Sequence, residues 1–175
     1  MAEARFRITR ESPLGPDLAM LMARHTADMH ADTPPESIHM MDAGALAVPE
    51  VAFYVLRDIG KAIGMGAFKQ VAPGHAEIKS MHVLSEYRGH GLSRLMLDHL
   101  MTEAGQNGFT RLSLETGSQA MFEPARRLYL RAGFRECGPF ADYVLDPNSI
   151  YMTRALATRR GLDAKDDQRP RSSTG

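Results

Sequence analysis

The hydrophobic pattern of this chain changes from the period of a strand to the period of a helix across residues 85–91. Before this point, His75 to Leu84 has the alternation of a strand, interrupted near Ser80. After it, Gly91 to Gln106 carries apolar residues every three or four positions, as on one face of an amphipathic helix. The junction contains Gly89 and Gly91. The chain must therefore fold as a strand, a glycine-containing turn and a helix in direct succession, which requires a mixed α/β domain.

The same two periods predict the remaining elements. Helical spacing predicts helices at Pro16 to Ala31, Gly91 to Gln106 and Pro124 to Ala132. Alternating or β-branched runs predict seven strands, at Arg5 to Arg10, Val51 to Arg57, Ala62 to Val71, His75 to Leu84, Phe109 to Glu115, Phe134 to Cys137 and Ser149 to Ala155. Residues 32–50 are rich in turn formers and predict only short helical turns. The break near Ser80 predicts a bulge or a splay in the fourth strand.

Length and charge limit the class of protein. A chain of 175 residues has the size of one domain, which we expect to span residues 1–156. Residues 157–175 contain few large apolar side chains and predict a mobile polar tail. Lys+Arg and Asp+Glu both number 21, so the formal net charge is zero. A dedicated nucleic-acid binder would usually carry a basic excess, so no nucleic-acid partner is expected.

The location and the metal content are predicted from what the sequence lacks. The one cysteine, Cys137, has no internal disulfide partner, and the first residues lack the apolar core of a signal peptide. No window approaches the roughly 20 apolar residues of a membrane span. The seven histidines show no metal-binding spacing. We therefore expect a cytoplasmic protein without a metal and without a membrane partner, either a monomer or a homodimer.

The strand-turn-helix junction is a candidate anion site. Free backbone N–H groups and the positive end of a helix dipole meet at such a junction, and a phosphate is a suitable ligand. Gly89 and Gly91 leave the backbone accessible, Ser93 adds a hydroxyl, and Arg88 and Arg94 add charge. An ordinary strand-to-helix turn with solvated arginines explains the same residues equally well.

The run Arg88-Gly89-His90-Gly91-Leu92-Ser93 resembles the pyrophosphate-binding signature (Q/R)-x-x-G-x-(G/A) of the GNAT superfamily of N-acetyltransferases. Ser93 departs from the final Gly or Ala but is also small. The preceding Met81-His82-Val83 is similar to the end of the family's fourth strand, and residues 128–134, Leu-Tyr-Leu-Arg-Ala-Gly-Phe, are similar to its Leu-Tyr-x-x-x-Gly-Phe segment. The resemblance covers roughly residues 50–155. It implies a twisted, mostly antiparallel sheet of six to seven strands flanked by helices and splayed between strands four and five.

The resemblance also implies an acetyl-CoA site in that splay. The pantetheine arm would lie along the backbone of Met81, His82 and Val83, and the Val83 N–H would stabilise the oxyanion. The pyrophosphate would rest on amides of the run from Arg88 through Gly89, His90, Gly91 and Leu92 to Ser93, with Arg94 beside them.

Two side chains are candidates for proton transfer to and from an amine acceptor. Tyr129 matches the position at which many family members place a tyrosine near the CoA sulfur, where it can protonate the leaving thiolate. Without the resemblance, it would be interpreted as a core tyrosine. Glu77, on the fourth strand, is the candidate base, and a solvent-facing strand glutamate is the competing interpretation. Several loop residues would border the acceptor cleft in the family geometry, namely His30, Glu36, His39, Phe140 to Tyr143 and Asp146.

The predicted function is transfer of acetyl from acetyl-CoA to a primary amine, with a small molecule as the favoured acceptor. Two alternatives remain open. One is an acetyltransferase whose acceptor is a protein lysine or N-terminus. The other is a non-catalytic acyl-CoA-binding sensor.

Overall fold

The computed structural model describes residues 4–157, which form one layered domain. Its strands are β1 Phe6–Arg10, β2 Val51–Asp58, β3 Lys61–Ala72, β4 His75–Val83, β5 Arg111–Gly117, β6 Arg135–Cys137 and β7 Ser149–Ala155. Its α-helices are α1 Ala19–Asp32, α2 Ala43–Leu46, α3 Leu92–Gln106 and α4 Glu123–Arg131. Short 3-10 helices occupy Pro16–Leu18, Pro35–Ser37, Ser85–Tyr87 and Ala120–Phe122.

All seven strands belong to one sheet, in the order β1-β2-β3-β4-β5-β7-β6. Every neighbouring pair is antiparallel except β4 and β5, which are parallel. These two strands pair only from His75 to Glu77 and from Arg111 to Ser113. Beyond Glu77 and Ser113 they separate, so the predicted mixed fold, the strand number and the splay between strands four and five are confirmed.

The separation of β4 from β5 coincides with an irregularity in β4. The pairing register with β3 shifts between Met65 and Ala67, whose partners are His82 and Lys79. Ser80 lies inside this shift with a φ of 54°, a left-handed conformation that is unusual for a residue other than glycine. The predicted bulge near Ser80 is confirmed, and it redirects the second half of β4 away from β5.

Helices cover both faces of the sheet. A Cβ on Gly66 of β3 would meet Leu100 and Met96, so this face of β3 packs against α3. Side chains alternate along a strand, so Met65 and its partner His82 point to the opposite face. There the His82 ring contacts His25 of α1, with ring centroids 5.3 Å apart. The core therefore consists of the sheet held between α1 and α3.

The predicted strand boundaries differ from the structure by at most two residues, and β5 begins at Arg111 rather than Phe109. Phe109 is instead half-buried against Phe68, with ring centroids 5.8 Å apart. The first helix begins three residues later than predicted, at Ala19, because Pro16–Leu18 form a 3-10 turn that leads into it. The predicted mobile tail lies outside the described residues, apart from Ala157. Across the described part of the chain, no helix is both long and apolar enough to span a membrane.

Candidate active site

A crevice of about 120 Å³ opens where β4 and β5 separate. Its walls come from the second halves of both strands, from α1, from α4 and from two loops. The polar or ionisable lining residues are His25, His39, Glu77, Lys79, Ser80, Glu115, Thr116, Tyr129 and Tyr143. Three of the residues predicted for the site, Glu77, Met81 and Tyr129, therefore line one space although they are distant in the sequence.

The end of β4 presents a free backbone donor to this splay. Leu84 donates its N–H to the carbonyl oxygen of Ile63 on the β3 side, at 2.9 Å. Successive N–H groups along a strand point to opposite edges, so the N–H of Val83 points toward the β5 side. The ladder between β4 and β5 has already ended at Glu77, so β5 supplies no partner there. Val83 thus has the orientation that an oxyanion donor needs.

The turn between β4 and α3 is built as an anion site. Gly89 and Gly91 have φ values of 81° and 74°, and a Cβ on either would meet no atom within 4 Å. Glycine is favoured in this left-handed region, and its missing Cβ leaves the space beside the backbone open. Within residues 4–157, the N–H groups of residues 89–94 donate to no protein acceptor. Six backbone donors, including the first turn of α3, are available to one ligand.

The arginine side chains of this turn are engaged with the protein itself. Arg88 donates from Nε to the carbonyl oxygen of Val83 at 3.1 Å and from Nη2 to Asp28 at 2.9 Å. Arg94 pairs with Asp98 one turn along α3, at 2.8 Å. The main-chain amides are therefore the groups that this conformation offers to an anion.

His82 is packed rather than solvated. It is 8% exposed, and its Nε2 atom has no hydrogen-bond partner within the described residues. Burial, with the nearby His25, lowers the pKa of His82 to about 4. Its imidazole is therefore neutral at pH 7, and its backbone rather than its side chain lies along the edge of the splay.

Tyr129 lies on α4 and points into the crevice. It is 7% exposed, and its ring packs against Phe134 with centroids 5.9 Å apart. Its hydroxyl makes no hydrogen bond to any of residues 4–157. Burial raises its pKa to about 12, with a further contribution from the negative charge of Glu115. The phenol thus remains protonated and has a proton to donate.

Glu77 belongs to a polar cluster at the side of the crevice. It is 4% exposed, so the competing interpretation of a solvent-facing glutamate is wrong. It accepts a short hydrogen bond from the hydroxyl of Tyr143 and pairs with Lys79 at 3.1 Å. Lys79 also donates to the Tyr143 oxygen at 2.8 Å and to the carbonyl oxygen of His39 at 3.2 Å. The Glu77 carboxylate is thus occupied by Tyr143 and Lys79, and these contacts hold the β6–β7 loop against the sheet.

Glu115 is a site residue that the sequence analysis missed. It lies on β5 beyond the last pair with β4 and lines the crevice. It accepts a hydrogen bond from the Ser149 hydroxyl at 2.8 Å, and it has no salt-bridge partner within residues 4–157. Burial raises the pKa of this carboxyl above its ordinary value. The signal was present in the alternation of Leu112, Ser113, Leu114 and Glu115, which points Glu115 to the same face as Ser113.

A second cavity, of about 400 Å³, adjoins the crevice. The two spaces share His39, Met40, Glu77, Lys79 and Tyr143 as lining residues. The second cavity is further lined by Met41, Lys69, Val71, Ala141, Asp142 and Val144. Of the loop residues predicted to border an acceptor cleft, His39, Ala141, Asp142 and Tyr143 do so, whereas His30 and Glu36 are exposed elsewhere.

Comparison with known proteins identifies the family. The model of the acetyltransferase (GNAT) family matches residues 18–134. This chain belongs to the GNAT family. The uncharacterized N-acetyltransferase YsnE of Bacillus subtilis is 43% identical over 142 residues, which covers 81% of this chain and 94% of that protein.

Two further similar proteins extend over most of this GNAT chain. The uncharacterized N-acetyltransferase YedL of Escherichia coli is 38% identical over 157 residues, covering 90% of this chain and 99% of that one. A crystal structure of an acetyltransferase from Streptococcus agalactiae superposes with a TM-score of 0.68 at 18% identity, covering 87% and 99% of the two chains. The chain is therefore an acyltransferase with a GNAT fold.

Proposed function

We propose that this GNAT protein transfers the acetyl group of acetyl-CoA to the primary amine of a small molecule. The observation that carries the proposal is the continuity of three features along β4. The free amides of residues 89–94 follow its end, the crevice with Tyr129 runs along its splayed half, and the second cavity opens beside Glu77. Acetyl transfer from acetyl-CoA needs a phosphate site, a channel for the thioester and a cavity for the acceptor, and the three features lie along β4 in this order.

For the donor, the proposal places the pyrophosphate on the amides of residues 89–94 and the pantetheine arm along Met81, His82 and Val83. The six N–H groups and the dipole of α3 favour an anion, and no side chain blocks the turn. The arm would extend from the turn into the crevice, so the thioester would lie beside Val83 and Tyr129.

For the chemistry, the neutral amine attacks the thioester carbon and forms a tetrahedral intermediate. The Val83 N–H donates to the developing oxyanion. Collapse of the intermediate breaks the carbon–sulfur bond and expels the CoA thiolate, which takes a proton from the Tyr129 hydroxyl. The nitrogen loses one proton to a base, and the products are the N-acetylated amine and CoA. The protonated base then returns this proton to the Tyr129 oxygen through solvent, which restores both groups.

We assign the base to Glu115 rather than to Glu77. An amine with a pKa near 10.4 is neutral in only about one molecule in a thousand at pH 7, so a base accelerates the reaction. The Glu77 carboxylate already accepts a hydrogen bond from Tyr143 and pairs with Lys79, so its oxygens are occupied by protein partners. Glu115 has one neutral donor, and its pKa is raised toward the working pH by burial. The base predicted at Glu77 stays a prediction that the Glu77→Gln and Glu115→Gln comparison below tests.

For the acceptor, the size of the second cavity supports a small molecule. A volume of about 400 Å³ lies in the range of small-ligand pockets, about 300–1,000 Å³. It is walled on one side by the rigid sheet and on the other by the loops that carry His39 and Tyr143, whose rings contact at 5.0 Å.

The test combines binding and turnover. The purified protein is titrated with acetyl-CoA by calorimetry, and CoA thiol release is then measured with a panel of small amines and with protein substrates from a lysate. Binding together with faster turnover of small amines supports the proposal. Better kcat/KM for lysate proteins makes the protein acceptor the correct one, binding without any turnover makes the chain a sensor, and no binding removes the proposal.

A further inference from the structure

The second cavity contains one ammonium group that the protein does not neutralise. Lys79 is satisfied by Glu77, by the Tyr143 hydroxyl and by the carbonyl oxygen of His39. Lys69, which is half-buried on β3, has no carboxylate within 4 Å and no hydrogen-bond acceptor among residues 4–157. A half-buried ammonium with no protein acceptor is available to the carboxylate of a ligand.

The position of Lys69 is fixed relative to the reacting centre. Lys69 lies directly opposite Glu77 in the β3–β4 pairing, and Glu77 lies directly opposite Ser113 in the β4–β5 pairing. The three side chains therefore stand on one face of the sheet, with adjacent strands about 4.8 Å apart. Glu115 follows Ser113 by two residues on the same face, at the crevice. An acceptor whose amine is at Glu115 thus extends across Glu77 toward the Lys69 ammonium.

The remaining walls of the cavity are mainly apolar. Met40, Met41, Val71, Ala141 and Val144 line it. Among residues 4–157, the charged groups of its lining besides Lys69 are the paired Glu77 and Lys79 and the exposed Asp142. The crevice supplies the base Glu115, and the adjoining second cavity supplies the Lys69 ammonium and an apolar wall. Together the two spaces are complementary to an amine that carries both a carboxylate and an apolar side chain.

We propose that the acceptor is an α-amino acid with an apolar side chain, whose carboxylate is bound by Lys69 while its amine faces Glu115. This inference rests on the proposed function and names the substrate class of the same site. Lys69 is then a specificity-determining residue: it binds the acceptor and takes no part in proton transfer. Its contribution is a charge-assisted hydrogen bond, which is roughly twice as strong as a neutral one.

The experiment compares matched acceptors. CoA thiol release is measured with L-leucine, L-methionine and L-phenylalanine, with the amide of each, and with the corresponding decarboxylated amines, at saturating acetyl-CoA. We expect kcat/KM for each amino acid to exceed that for its amide by about tenfold or more. Conversion of the carboxylate to an amide lowers the pKa of the α-amine and enriches its neutral form, so the amide comparison is biased against the proposal.

Variants of Lys69 show whether this residue causes the preference. Lys69→Met should reduce the ratio of kcat/KM for the amino acid to kcat/KM for its amide toward one, mainly by raising KM for the amino acid. Lys69→Arg should keep this ratio. Lys61→Met removes a lysine from the other end of β3 and should leave the ratio unchanged. Because Lys69→Arg retains size and charge, it remains informative if Lys69→Met folds poorly.

Three results overturn the inference: a wild-type ratio near one, a ratio that survives Lys69→Met, or binding of acetyl-CoA with no turnover of any of the nine compounds. In each of these, acetyl-CoA still binds, so the proposed donor is unaffected. Failure to bind acetyl-CoA and to release thiol with any acceptor instead removes the proposed function itself.

Discussion

The Arg88 guanidinium donates a hydrogen bond to the carbonyl oxygen of Val83, 3.1 Å away, at the point where β4 ends. The same side chain is tied to Asp28 of α1 at 2.9 Å. These contacts fix the last peptide of β4 and thereby the residue whose N–H faces the splay. This geometry makes Arg88 a positioning residue: it orients Val83, whose N–H is the proposed oxyanion donor.

Replacing Arg88 with Met is expected to lower kcat by roughly two- to tenfold, the range that loss of one or two net hydrogen bonds gives. The acetyl-CoA Kd, measured separately by calorimetry, should change less than kcat. Arg127→Met is the matched control, because Arg127 has no assigned role in the site and pairs with Glu123 one turn away on α4. An Arg88 variant with full kcat and weakened acetyl-CoA binding would place the guanidinium on the ligand instead.

Replacing Ser93 with Asp should change stability and acetyl-CoA binding in opposite directions. Ser93 is the second residue of α3, where a carboxylate stabilises the helix by about 0.3–1 kcal/mol through the dipole. The same charge would repel the pyrophosphate, so binding should weaken at least tenfold in low salt. Ser93→Asn is the neutral control. Thermal unfolding and calorimetry measure the two effects, and unchanged acetyl-CoA affinity in the Asp variant would remove the turn from the donor site.

Replacing Tyr129 with Phe should reduce kcat by at most about a hundredfold and leave the acetyl-CoA Kd unchanged. The ring packing against Phe134 is retained, and the hydroxyl has no hydrogen-bond partner among residues 4–157, so the melting temperature should change little. Since burial raises the pKa of Tyr129 to about 12, its proton is present throughout the usual assay range. The wild-type rate should therefore not fall from pH 8 to pH 10 through Tyr129. Near wild-type turnover in the Phe variant would restore the interpretation of a core tyrosine.

Replacing Glu115 with Gln should remove the acid limb of the pH–rate profile. Burial raises the pKa of Glu115, so the wild type should lose activity as the pH falls through that raised value, when the base becomes protonated. Gln has no such transition, so the variant should show a lower rate whose only rise with pH comes from deprotonation of the acceptor amine. An acid limb that persists unchanged in Glu115→Gln contradicts the assignment of the base.

The same substitution has a predicted effect on stability. A carboxyl whose pKa is raised on folding binds its proton more tightly in the folded state, so it lowers stability once the pH exceeds the folded pKa. Glu115→Gln should thus raise the melting temperature at pH 8, and the gain should shrink as the pH falls toward 4. Thermal unfolding at several pH values measures this difference.

Replacing Glu77 with Gln should mainly destabilise the protein. It would leave the buried Lys79 ammonium without its carboxylate, and breaking a buried pair in this way costs roughly 3 kcal/mol. Chemical denaturation gives the free energy of unfolding. The double variant Glu77→Gln/Lys79→Met should recover part of the loss, because no unpaired charge remains. If Glu77→Gln is as stable as the wild type but loses the acid limb of the rate profile, Glu77 rather than Glu115 is the base.

Much of the architecture was predictable because it depends on local periodicity. The alternation of β2, β3 and β4, the amphipathic face of α3 and the break near Ser80 are all contained in short windows of the sequence. Gly89 and Gly91 mark the turn because few other residues adopt a positive φ without strain. The splay between strands four and five was predicted through the family resemblance rather than from these windows.

The environment of each charged side chain was not predictable in this way. Nothing near Glu77 in the sequence indicates that it is buried, since its hydrogen-bond partner Tyr143 lies 66 positions away. Glu115 was overlooked because its raised pKa arises from contacts with other strands and with α4, none of which is local.

The sequence by itself determined which segments are strands and helices and where the anion turn lies, because backbone conformation follows from neighbours within a few residues. Only the tertiary structure decided that Glu77 pairs with Lys79, that Glu115 and Tyr129 line the same crevice, and that Lys69 has no partner among residues 4–157. Burial and pairing of charges depend on which distant side chains the fold brings within a few ångströms, and these distances set the proton affinities and the ligand that the site can accept.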